Sequence, residues 1–104
     1  MAQRIANIAD PPSTALRERE QIRDLLVGER PDLAQRMQVG PSGALVIPLP
    51  TGGSIEIGRM RRRGAARWVV VSPEADRARL REPASVGAVA RTALAALDRV
   101  SEAR

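Results

Sequence analysis

The chain has 104 residues and a net charge of +5, and all seventeen of its basic residues are arginine. It contains no Cys and no His, which excludes disulfides, thiolate nucleophiles, imidazole bases and cysteine- or histidine-based metal sites. A single Trp is the only aromatic residue, so the core must be built mainly from Leu, Ile and Val, and a domain this short buries only about two-thirds of the surface its unfolded chain exposes.

Residues 1–9 carry no clear hydrophobic period and are expected to form a flexible N-terminal arm, with residues 10–104 as one small α+β domain. Asp10-Pro11-Pro12 reads as a helix start. Asp can cap free N–H groups, and Pro suits a first turn where its missing N–H costs nothing. Ala15, Ile22, Leu25 and Leu26 then share one face at helical spacing, with Arg17, Glu20 and Arg23 on the outer side. Gly28 is a plausible stop. Pro31 opens a second short helix carrying Leu33, Ala34 and Met37, which Gly40-Pro41-Ser42-Gly43 ends.

The period then changes. Leu45, Ile47 and Leu49 alternate, as do Ile55 and Ile57, and Arg67–Val71 is rich in β-branched residues. Pro50-Thr51-Gly52-Gly53 supplies turn chemistry between the first two runs. These runs predict a three-stranded antiparallel meander. Pro48 cannot donate to a ladder, which places the first strand at an edge and makes Leu45, Ile47 and Leu49 a candidate protein interface. Ser72-Pro73-Glu74 reads as a cap leading into a short helical or irregular piece up to Glu82, broken by Pro83. Ser85 can cap the last helix, where Val86, Val89, Ala90, Ala93, Leu94, Leu97 and Val100 keep a helical stripe. The fold class is therefore α+β: N-terminal helices, a three-stranded antiparallel β-meander, and a C-terminal amphipathic helix packed on the sheet.

Most enzyme classes lack their parts. A Ser or Thr nucleophile needs an adjacent base, and neither His nor Lys is present. The carboxylate pairs Glu18 with Glu20 and Glu74 with Asp76 lie close to arginines, which favours ion pairing over paired acid–base chemistry. Thr51-Gly52-Gly53-Ser54 and Gly40-Pro41-Ser42-Gly43 lack the phosphate-cradle pattern and read as turns. No enzymatic activity, metal or cofactor is expected.

The candidate site is the run from Arg59 to Arg67, which lies between two predicted strands. Arg59, Arg61, Arg62, Arg63 and Arg67 are five arginines within nine residues. Self-repulsion in such a cluster is relieved by an anionic partner. A two-stranded ribbon fits the DNA major groove, and Arg makes bidentate contacts to phosphate or to guanine edges. Arg4 on the arm could add a contact. Two other readings stay open: a solvated turn whose charges keep sheet edges apart, and a contact for an acidic groove on a partner protein. Trp68 could stack on a base, but a lone Trp among valines belongs more naturally to a core or an interface.

The expected function is a non-enzymatic nucleic-acid-binding accessory or regulatory protein. The alternative is a protein–protein interaction module (an adaptor, inhibitor or assembly subunit, with a homodimer as one form). No apolar run approaches the roughly 20 residues of a membrane span, and with one Arg and no long apolar stretch the first ten residues are not expected to act as a signal peptide. A cytoplasmic protein with no membrane partner is the expectation.

Overall fold

The computed structural model describes residues 11–102, with side chains from 14 to 100. The expected arm with Arg4, and the cap at Asp10, lie outside the described residues. Helix α1 spans Pro11–Glu29 and runs one residue past the expected stop at Gly28. Its inward stripe is Ala15, Glu18, Ile22 and Leu26, at spacings of three and four. Ile22 and Leu26 are fully buried, whereas Leu25, expected on the same face, is exposed. Helix α2 is a single turn, Leu33–Arg36, which buries Leu33.

Five strands follow, not three: β1 (Gln38–Val39), β2 (Leu45–Pro48), β3 (Ser54–Arg62), β4 (Ala65–Glu74) and β5 (Arg77–Arg81). They form one antiparallel meander in chain order. The turn over Pro50–Gly53 forms as its sequence predicts, with Leu49 N–H donating to the Gly53 carbonyl at 3.0 Å.

The two added strands correct the meander at both ends. At one end, β1 covers Leu45 and Val46, so β2 is not an edge. Pro48 is still tolerated, because β1 stops short of it and no ladder bond is demanded on its outer side. At the other end, the piece expected to be helical or irregular is β5, paired with Val70–Glu74. The presumed cap at Ser72-Pro73-Glu74 is instead the end of β4, and Ala75 takes a positive φ of 53° to make the two-residue turn.

Helix α3 spans Val86–Glu102. Ser85 caps it as expected, its Oγ accepting from Ala88 N–H at 3.1 Å. The helix lies on β3 and β4 and packs against α1. Side chains alternate between the faces of a strand, and this register turns Leu45, Ile47, Ile55, Ile57 and Val70 toward the helices. They form one aliphatic cluster with Ile22, Leu26, Leu33, Val89, Ala93 and Leu97. No helix among the described residues is long and apolar enough to cross a membrane.

Candidate functional site

The register defines a projecting ribbon. β2 begins at Leu45, opposite Ile57, and β5 ends at Arg81, opposite Val70. Beyond those points, among the described residues, only β3 and β4 continue, paired with each other from Gly58↔Val69 to Arg62↔Ala65. Five cross-strand pairs at about 3.4 Å each carry the ribbon roughly 17 Å past its neighbours. Its tip is the two-residue turn Arg63-Gly64, with φ of 55° and 81°. Two consecutive positive φ values match the twist of a tight hairpin. Gly takes that conformation freely and Arg does not.

This geometry divides the arginine cluster. Only Arg63 sits in the turn; Arg59, Arg61, Arg62 and Arg67 are strand residues. Alternation puts Arg59 and Arg61 on the helix side with Trp68, and Arg62 and Arg67 on the opposite side with Met60. Arg59 reaches α1, donating to Glu18 Oε1 at 3.0 Å. The same oxygen accepts from Trp68 Nε1 at 2.8 Å. The Arg59 guanidinium carbon also lies 5.5 Å from the Trp68 ring centroid, within cation–π range. Glu18 thus clasps both strands at the root of the ribbon. Arg62 is held by Glu82 through its Nε.

The other three arginines are exposed. Arg61 donates to the Gly64 carbonyl at 3.2 Å, across the turn. Arg63 and Arg67 have no ion-pair partner among the described residues. Of the five expected contact residues, Arg61, Arg63 and Arg67 are therefore available and Arg59 and Arg62 are already engaged. Trp68 is half-buried and packs against the core cluster.

Leu45, Ile47 and Leu49, the candidate interface, are buried at 1%, 0% and 8% exposure. Pro48 suggested an edge, but the alternation of these residues marks a core-facing strand, and β1 closes the outer side of its first half. The exposed apolar residues lie elsewhere. A groove of about 480 Å³ at the ribbon's root is lined by residues that include Leu16, Arg19, Ala44, Met60 and Trp68. Leu16 and Met60 are 50% and 42% exposed. Leu16 stands off the buried stripe of α1, a signal readable in the sequence; Met60 was masked by the arginines around it. Arg19 donates to the Gly43 carbonyl at 3.2 Å, pinning the loop before β2 against α1.

A second basic region lies at the far end of β4. Arg81, Arg99 and Arg79 approach Glu74 at 3.0, 3.3 and 3.6 Å. The Arg81 hydrogen bond, outweighing desolvation, holds the Glu74 carboxyl below its ordinary value, with Arg79 and Arg99 adding to the effect. Asp32 is lowered in the same way, first by its hydrogen bond from Arg36 and then by Arg30. Among the described residues no three carboxylates gather into a metal-binding group. Comparison with protein-family models, with curated proteins and with solved structures finds no match to this chain.

Proposed function

We propose that the protein is a non-enzymatic nucleic-acid-binding accessory or regulatory protein that grips phosphate with the tip of the β3–β4 ribbon. The observation that carries this reading is the exposure of Arg61, Arg63 and Arg67 on an unflanked ribbon, with no carboxylate paired to them among the described residues. The contact set is thus three arginines rather than the five suggested by the sequence. Binding is electrostatic and driven by counterion release, so on duplex DNA the log–log salt slope is about −2.7, at about −0.9 per phosphate neutralised. Fluorescence anisotropy of a labelled duplex titrated at several NaCl concentrations tests this. A triple Arg61→Ser, Arg63→Ser, Arg67→Ser variant that binds like the parent would end the reading.

A protein-interaction module is the second reading, and the groove at the ribbon's root favours it, since Leu16 and Met60 leave apolar surface in water there. Self-association measured by sedimentation tests the homodimer form. A dimer that Leu16→Asp with Met60→Asp dissociates would support it, and a monomer at all concentrations would remove it.

A further inference from the structure

We infer that, if the ribbon binds nucleic acid as proposed, its partner is double-stranded B-form DNA entered through the major groove, rather than a single strand or an RNA duplex. Single strands are held by aromatic platforms on which successive bases stack. Trp68 is the sole aromatic residue of the chain, and it is not free to serve. Its Nε1 is committed to Glu18 at 2.8 Å, the Arg59 guanidinium lies over its ring, and its body packs on the core. The ribbon beyond it carries only Arg, Met, Ala and Gly, which offers no stacking surface.

The distribution of charge points the same way. Arg61 and Arg67 project from opposite faces of the ribbon, and Arg63 stands at the tip between them. One phosphate strand would engage one face and leave the other cation unused. A major groove has a phosphate wall on each side, so both faces find an anion when the ribbon lies between the walls. The groove, about 12 Å wide, admits a two-stranded ribbon, whereas the deep, narrow major groove of A-form RNA does not. The tip is also free of bulk. Gly64 has no atom near where a Cβ would stand, and Ala65 and Ala66 follow it. The ribbon can therefore enter between the walls with Arg63 leading, its guanidinium within reach of a phosphate.

The test uses the intact chain and three fluorescein-labelled probes of matched sequence: a 20-base-pair DNA duplex, the RNA duplex and one DNA strand. The DNA duplex is expected to bind about tenfold more tightly than either alternative. Methyl green, a major-groove ligand, should displace the protein, and the minor-groove ligand distamycin should not. Trp68 fluorescence should stay unchanged on binding. Arg61→Ser and Arg67→Ser should each lower the salt slope by about 0.9, since each contacts its own wall. A single strand or RNA duplex that binds as well as DNA overturns the inference while leaving the ribbon reading intact. So does quenching of Trp68 by a single strand, or competition by distamycin alone. Failure of all three probes to bind removes the ribbon reading itself, and the inference with it.

Discussion

The two ends of β4 carry similar numbers of arginines and put them to different uses. At the β5 end, Arg79, Arg81 and Arg99 converge on the single carboxylate of Glu74. At the ribbon end, acids reach Arg59 near the root and Arg62 beside the turn, while Arg61, Arg63 and Arg67 remain without a carboxylate among the described residues. Counting arginines does not distinguish the two ends; the placement of the acids does. An arginine held by an internal acid must give up that bond before it can grip a phosphate, so the effective charge of the ribbon is that of Arg61, Arg63 and Arg67.

The widest expected contrast is in binding. Replacing Arg61, Arg63 and Arg67 with Ser should weaken duplex DNA binding on the order of a hundredfold at low salt and flatten its salt dependence. The charge-matched variant Arg79→Ser, Arg81→Ser, Arg99→Ser should lose far less, and anisotropy titrations of the two would expose an equal loss. Next comes the clasp. Glu18→Ala strips the acceptor from both Arg59 and Trp68 Nε1, and should cost about 1–2 kcal/mol in chemical denaturation, with Trp68 fluorescence reporting the change.

Smaller effects separate the two turns. Arg63 and Ala75 both hold positive φ, at 55° and 53°, a region costly for side chains that carry a Cβ. Arg63→Gly and Ala75→Gly should each stabilise the fold by about 0.5 kcal/mol, after the entropy that Gly adds to the unfolded chain. Only Arg63→Gly should also lower the salt slope, by about 0.9.

The pH dependence of stability gives the smallest signal. The folded-state pKa of Glu74 lies below its unfolded value, so its contribution is present above the ordinary carboxylate range and is lost as the pH falls through the lowered value. Glu74→Gln should therefore be less sensitive to acid below about pH 4 than the parent. Thermal melts across that range check it, and parallel curves would show that the arginine cluster adds nothing there.

Much of the frame was readable before the coordinates. The stripe on α3 with its Ser85 cap, the alternation of β2 and β3, and the turn at Pro50–Gly53 all appear where local pattern puts them. The omissions share a cause. β5 reads Arg-Ala-Arg-Leu-Arg, which alternates but has no β-branched residue; its pairing with β4 supplies what propensity lacks. β1 has two residues, too few for any period to register. Pro48 read as the mark of an edge strand, because it lacks an N–H, and Pro73 as part of a helix cap. They are tolerated because each has a strand partner on one side only: Pro48 lies beyond the reach of β1, and β3 stops pairing with β4 at Val71, short of Pro73. The arginine cluster stood out at once, but its partition did not, since Glu18 lies 41 residues from Arg59 and Glu82 lies 20 from Arg62.

Residue types and their spacing were enough to establish an aliphatic α+β protein without His or Cys chemistry, carrying a dense basic run beside its central strands. Folding decided which of those guanidinium groups remain available and which residues form the edges of the sheet. Propensity and period are properties of neighbours along the chain. Charge neutralisation and strand pairing act over a few ångströms of space, between groups that only the folded backbone brings together.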